Sequence, residues 1–119
     1  MKTAEALAWL KRNHNPSAFA SNRFGETVNA IQFVEKLYEL GAVKVSVIDI
    51  LDEPERMEEE GGPYAASLLV DLPPDNQSRN KIIEFYKKEM EEQGIGEGEG
   101  ILEWNESKMK EGLLGFGWD

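Results

Sequence analysis

The 119-residue chain has the length and composition of one acidic domain. It carries 13 basic and 23 acidic side chains, which give a formal net charge of −10. A field of that sign repels the phosphates of nucleic acids and anionic lipid headgroups, so we expect neither nucleic acid nor membrane as a partner. The absence of cysteine excludes disulfides, thiol nucleophiles and cysteine-ligated metal centres. Residues 1–119 are thus predicted to form a single domain with one core.

The N-terminal residues do not have the pattern of a targeting segment. Glu5 interrupts the apolar side of residues 1–12, and no apolar run in the chain approaches the length of a membrane span. We therefore expect a cytoplasmic protein.

The first third of the chain predicts two helices with a short strand between them. Residues 3–12 have a broad apolar side, and Thr3 is a suitable N-cap. Small residues alternate with a phenylalanine over 17–24, which favours a strand. Apolar residues recur at helical spacing over 26–40, and Gly41 follows as the residue that ends the helix.

The middle of the chain predicts two antiparallel strands followed by a helix. Residues 43–51 alternate between apolar and polar, as in a strand with one buried face. Residues 52–63 hold six acids and one base without an apolar period, which predicts a solvated acidic loop. An apolar strand over 65–72 and an amphipathic helix over 76–92 complete this part.

The C-terminal part predicts a connector and two strands. Four glycines in seven residues make 94–100 a flexible Gly-rich connector. Residues 101–104 have the composition of a short strand, and the apolar residues of 113–119 predict a last strand docked on the sheet.

The order of these elements predicts an α+β fold with an antiparallel sheet. Without the N-terminal helix it is β-α-β-β-α-β, the order of a ferredoxin-like sandwich. In that arrangement two helices cover one face of a four-stranded sheet. The other face is left for solvent, a partner or the extra N-terminal helix.

Two segments show a resemblance to known proteins. Residues 33–45 contain the pattern FVxxLYxxGAxxV, and residues 67–75 contain SLxVxLPxD. In these patterns the chain resembles small bacterial proteins of unassigned function, in which the first is a helix leading to a strand and the second a strand leading to a helix. The resemblance implies an α/β sandwich and assigns no active-site residue.

The acidic stretch allows two interpretations. It is a solvated connection between strands, or an electronegative surface that docks into a basic cleft, as in an inhibitor or immunity protein. Its candidate partner-binding residues are Glu55, Glu58, Glu59 and Glu60. The stretch lacks the regular acidic spacing of a calcium loop, so no metal site is predicted.

The remaining polar candidates favour structural roles. His14 is the only imidazole and lies in a helix-exit loop without an evident nucleophile. The glycines of 94–100 follow a helix instead of opening one, which excludes a phosphate cradle, and no cofactor is predicted. Asp49 and Asp71 lie in neighbouring predicted strands, where they either face one cleft as an acid–base pair or lie at strand ends in water.

The aromatic residues near the C-terminus are the last candidates. Trp104, Phe116 and Trp118 either form a recognition surface on the open sheet face or belong to an ordinary core under the N-terminal helix.

The sequence therefore favours binding over catalysis. Our leading hypothesis is a non-catalytic, inhibitor-type or immunity-type module for a basic protein partner. The alternatives are a small-molecule-binding or enzymatic domain that uses the open sheet face with Asp49 or Asp71 as its polar anchor, and a homodimeric structural module.

Overall fold

A computed structural model describes residues 3–93 and 111–118, without the side chains of Arg56, Glu59 and Glu60. The elements in chain order are β1 (Ala4–Glu5), α1 (Ala6–Arg12), α2 (Ser21–Phe24), α3 (Thr27–Glu39), β2 (Lys44–Ile48), α4 (Pro54–Glu60), β3 (Ser67–Asp71), α5 (Asn76–Glu92) and β4 (Leu113–Gly117). The Gly-rich connector at 94–100 and the predicted strand at 101–104 lie outside the described residues.

The four strands form one antiparallel sheet in the order β1-β2-β3-β4. In the central pair Lys44 lies opposite Asp71 and Ile48 lies opposite Ser67. Ser67 in turn lies opposite Gly117 of β4. The α+β class with an antiparallel sheet is therefore confirmed, as are the central strands, which run from Lys44 and from Ser67 within the predicted ranges.

The ferredoxin-like arrangement is not confirmed. It requires a first strand within 17–24, and there only Phe19 pairs, through a single parallel bridge to Ala65. Ala20 adopts a left-handed backbone with φ 39°, and the chain then turns into α2, so an extended strand cannot continue. The strand beside β2 is instead β1, which lies before the first helix.

The first helix begins at Ala6 and not at Thr3, because Glu5 supplies its N-cap. The Glu5 carboxylate accepts hydrogen bonds from the backbone N–H of Ala8 at 2.8 Å and of Leu7 at 3.1 Å. These groups are among the first N–H groups of a helix, which have no partner within the helix itself.

The two long helices match their predictions. The helix predicted at 26–40 spans Thr27–Glu39, and the helix predicted at 76–92 spans Asn76–Glu92. Gly41 follows the first with φ 113°, a conformation that L side chains rarely adopt. Asp75 caps the second by accepting a hydrogen bond from the Ser78 N–H at 2.9 Å.

The prediction that the whole acidic stretch is a loop is wrong, because residues 54–60 form the helix α4. Pro54 occupies the start of the helix, where its fixed φ and missing N–H are favourable, and Gly61 ends it in a left-handed conformation. Met57 is half-buried. These local signals outweigh the lack of an apolar period over the seven residues.

The core lies between one face of the sheet and the helices. Paired residues of neighbouring strands form the sheet side of the core: Val45, Val47, Leu68, Val70, Leu114 and Phe116. Phe33 of α3 and Tyr86 of α5 both contact the Phe116 ring, at centroid distances of 5.6 and 5.4 Å. Both long helices therefore pack on this face. No helix within the described ranges combines the length and the apolar character needed to cross a membrane.

Candidate functional site

A surface groove lies where the end of α1 meets α4. Its volume is about 410 Å³, and most of its wall is apolar. Residues 9 and 12–14 line it from the first helix and its exit, Met57 lines it from α4, and residues 61–63 line it from the turn that follows α4. We call it the Trp9 groove, after the indole in its wall.

The spacing of residues explains how the first helix forms one wall of the Trp9 groove. Trp9, Arg12 and Asn13 lie at positions i, i+3 and i+4, which share one side of a helix. Trp9 is almost fully buried, so only a small part of its side chain reaches the groove, whereas the side chains of Arg12 and His14 are exposed. The groove therefore combines an apolar wall with two nitrogen-rich side chains.

Hydrogen bonds hold the opposite wall of the groove in place. The Asn13 side-chain amide donates to the carbonyl of Pro63 at 3.2 Å, and its oxygen accepts from the Asn15 N–H at 2.9 Å. Gly62 packs closely here, since an added Cβ would lie 3.1 Å from Asn13 Oδ1 and from Asn15 Cβ. Asn13 thus connects the end of α1 to the turn after α4 and supports the groove.

The buried polar groups behind the groove are also satisfied. Thr27 donates its hydroxyl hydrogen to the carbonyl of Asn15 at 2.8 Å and accepts from the Ala18 N–H at 2.9 Å. Asn15 accepts from the Ser17 N–H at 2.9 Å. Such complete pairing of buried polar atoms is typical of a structural network.

The helix α4 carries the predicted acidic surface. Glu55 and Glu58 are exposed, and their spacing of three residues places them on one side of the helix. Glu59 and Glu60 belong to the helix backbone, but their side chains lie outside what the structure describes. Met57 lines the Trp9 groove, so the acidic side of α4 borders that groove.

The aromatic candidates take different positions. Phe116 is 1% exposed and belongs to the core. The prediction that it contacts a partner is therefore wrong. Trp118 is partly buried among aromatic rings, with Phe19, Phe24 and Phe33 at centroid distances of 5.2–5.6 Å. Trp104 lies outside the described residues. Phe116 is therefore a core residue, but it packs against Phe33 of α3 and Tyr86 of α5 and not under the N-terminal helix as the core interpretation expected.

Asp49 and Asp71 do not form a pair. Asp71 lies opposite Lys44 at one end of the β2–β3 ladder, whereas Asp49 follows Ile48 at the other end. Asp49 is five positions after Lys44, the residue opposite Asp71, which corresponds to about 16 Å along the sheet. Asp49 is exposed, with φ 53°, in the bend after β2. The expectation of strand-end positions is met, and a shared acid–base cleft is excluded by the register.

Sequence reasoning missed a buried ion pair between Arg23 and Glu89. Arg23 donates from Nε to Oε2 of Glu89 at 2.7 Å and from a terminal nitrogen to Oε1 at 2.8 Å. The Trp118 indole N–H donates to the same Oε2 at 2.9 Å. The sequence did contain a signal that Glu89 is buried: it follows Phe85 and Tyr86 at helical spacing on the apolar side of α5.

The environment of Glu89 fixes it in the ionised form. Burial by itself raises the pKa of Glu89, but the hydrogen bonds from Arg23 and Trp118 and the charge of Arg23 outweigh it and lower the pKa below its ordinary value. Arg23 lies 4.6 Å from the centroid of the Phe24 ring, a cation–π distance. All these bonds are internal, so the pair is structural.

The described residues contain no group of three or more metal-ligating side chains placed to hold an ion. His14 is exposed at the groove, and among the described side chains neither it nor Arg12 has an ion-pair partner. These two residues are exposed polar side chains among those that line the groove.

Comparison with known proteins does not identify a family. No protein-family model, curated protein or solved structure matches the chain. The resemblance of residues 33–45 and 67–75 to small bacterial proteins therefore stays a prediction. The geometry of the two surfaces, the Trp9 groove and the acidic side of α4, is the basis for a functional proposal.

Proposed function

We propose that the chain is a non-catalytic binding protein that docks on a basic protein surface through the acidic side of α4. An inhibitor or immunity protein is the specific form of this proposal. One observation supports it most directly: the carboxylates of Glu55 and Glu58 are exposed on an ordered helix, and no described cation pairs with them.

The helical order of α4 favours binding. A helix holds its carboxylates at a fixed spacing, so less conformational entropy is lost on association than with a mobile loop. Because no cation among the described side chains pairs with Glu55 or Glu58, a partner's lysine or arginine would gain a new ion pair without breaking a described one. The net charge of −10 adds a long-range attraction that speeds the encounter.

The enzymatic alternative has less support. It uses Asp49 or Asp71 as a polar anchor on the open sheet face, and the strand register places these two residues at opposite ends of the ladder, so they do not act as a pair. Within the described residues, no three His, Asp or Glu side chains are grouped so that they could hold a metal ion. Binding is therefore the better-supported class.

A comparison of two equally charged variants tests the proposal. Extracts of the cells that produce the protein are passed over immobilised wild type, Glu55→Gln/Glu58→Gln and the control Glu35→Gln/Glu84→Gln. Glu35 and Glu84 are exposed on α3 and α5, so the control removes the same charge elsewhere. We expect a basic protein to bind the wild type and the control, and to be lost from the α4 variant.

The captured protein is then purified, and its association rate is measured at two salt concentrations. We expect the rate to fall about tenfold or more as the ionic strength rises from 0.01 M to 0.15 M, because the screening length shortens from about 30 to about 8 Å. Equal binding of both variants, or an association rate independent of salt, would contradict docking through α4.

A further inference from the structure

The chain contains no cysteine, so its methionines are its only sulfur groups. One of them, Met57, lies half-buried on α4, the helix that carries the acidic surface. We propose that Met57 is a modification site for hydrogen peroxide, and that its conversion to the sulfoxide detaches α4 from the domain. The oxidation site is independent of the proposed function. Its effect on partner binding rests on that function, because the docking carboxylates lie on the same helix.

The helix α4 is weak when considered by itself. It has seven residues, whereas isolated helices shorter than about 12–15 residues are marginal in water. Its last turn contains Glu58, Glu59 and Glu60 and no basic residue, so acidic residues occupy the negative end of the helix dipole. Pro54 and Gly61 define where the helix begins and ends. Its order therefore depends on contacts with the rest of the domain.

Met57 supplies such a contact. The helix has two apolar residues, of which Pro54 is exposed and Met57 is half-buried. The Met57 side chain lines the Trp9 groove, together with residues from the exit of α1 and from the turn after α4. Burial of an apolar side chain against such a wall stabilises a docked helix. Among the described side chains of α4, Met57 thus provides the apolar attachment to the domain.

The same position leaves the thioether within reach of a small oxidant. Met57 is only partly buried, and it lines a surface groove of about 410 Å³ into which hydrogen peroxide diffuses. The sulfur attacks one peroxide oxygen, so an S–O bond forms as the O–O bond breaks. Sulfur loses two electrons, and the leaving hydroxide takes up the proton and becomes water. Met90, in contrast, is 3% exposed in the core, where burial protects it.

The sulfoxide weakens the attachment of α4, because a polar group replaces an apolar one. Keeping that group at an apolar wall carries a desolvation penalty, which is relieved when α4 detaches. The Met57 N–H donates to the Glu53 carbonyl at 2.9 Å and therefore reports on the helix. We expect the protection of this amide against deuterium exchange to fall about tenfold or more after oxidation. A methionine sulfoxide reductase should restore the protection.

The test treats the whole chain with hydrogen peroxide. Peptide mass spectrometry should show that Met57 is oxidised about tenfold faster than Met90, or more. Met57→Leu keeps an apolar side chain without a thioether, so its amide protection should not change on treatment. An equal loss of protection in this variant would assign the effect to another residue and contradict the proposal. Met57→Gln, which places a polar side chain at the same position, should lower the protection without peroxide.

Two further results would overturn the proposal: oxidation of Met57 as slow as that of Met90, or unchanged amide protection once Met57 is oxidised. Neither result bears on docking through α4, which the Glu55→Gln/Glu58→Gln comparison tests separately. Once that comparison has supported docking, the sulfoxide form should bind the basic partner several-fold more weakly, because only the chains with α4 in place are competent to bind. Equal binding of the oxidised and the reduced chains would contradict the release of the partner.

Discussion

Glu89 shows how a single residue determines the arrangement of several elements. It lies on α5, and its carboxylate binds Arg23 of α2 and Trp118, which follows β4. Three segments that are far apart in the sequence therefore meet at one side chain. Since Glu89 is only 4% exposed, its charge would be costly without these partners.

We expect Glu89→Gln to lower the free energy of unfolding by about 1–3 kcal/mol, because it removes the charge that Arg23 binds. The loss should lie in the lower part of this range, since the Arg23 side chain is 28% exposed and water can solvate it. Urea unfolding at neutral pH measures the difference. Glu84→Gln, an exposed residue of the same helix, is the matched control and should change stability little.

The Glu89→Gln variant also tests the role of the charge through the pH dependence of the free energy of unfolding. The pKa of Glu89 is lower in the folded chain than its ordinary value of 4.5. Its ionised form therefore stabilises the fold fully above that ordinary value, and this contribution is lost as the pH falls through the lower folded pKa. The advantage of the wild type over Glu89→Gln should shrink on acidification. An advantage that stays constant down to pH 3 would contradict the ion-pair explanation.

At the scale of elements, Tyr38 completes the edge of the sheet. β1 has two residues, paired with Val47 and Ser46 of β2, and the chain then turns into α1. The Val45 N–H is left without a strand partner and donates to the Tyr38 hydroxyl at 2.9 Å. That hydroxyl donates to the Glu5 carboxylate at 2.6 Å. A helix side chain thus replaces the missing strand residue.

We expect Tyr38→Phe to lower the free energy of unfolding by about 1–3 kcal/mol, since it leaves the Val45 N–H without its bond. Glu5→Gln should cost less, because an amide oxygen can still accept from the helix N-terminus. The double variant should be less destabilised than the sum of the two, by about 0.5 kcal/mol or more, because Glu5→Gln weakens the charge-assisted bond that Tyr38→Phe removes. Denaturant unfolding of all four proteins completes the cycle, and strict additivity would show that the contact carries no energy.

At the scale of the whole molecule, charge is the dominant property. Ten more negative than positive side chains repel one another across the surface. The Arg23–Glu89 and Lys36–Glu39 ion pairs act locally and leave the net charge of the molecule unchanged. Salt should therefore stabilise the protein.

We expect the melting temperature to rise as salt increases from about 0.01 M to about 0.1 M, where the screening length falls from about 30 to about 10 Å. Glu35→Gln/Glu58→Gln/Glu84→Gln removes three exposed negative charges and should show a smaller rise. Thermal unfolding followed by circular dichroism measures both. A rise of the same size in the variant would mean that salt acts through another mechanism.

The parts of the fold that sequence predicted are those with a strong local signal. Thr27–Glu39 and Asn76–Glu92 repeat their apolar residues at helical spacing over three or more turns, and Val45 and Val47 alternate as a half-buried strand. The short α4 was missed because Met57 alone provides its apolar contact. The Trp9 groove was missed because its walls come from segments about fifty residues apart, and no local pattern connects them.

The sequence by itself determined the acidic surface, the absence of thiol chemistry and the long helices, since each depends on composition or on short-range periodicity. The tertiary structure decided the strand order, the separation of Asp49 from Asp71, the burial of Phe116 and Glu89, and the meeting of Arg12 with Met57. These properties depend on which distant segments contact each other. That choice is made by the packing of the whole core, and a linear pattern does not contain it.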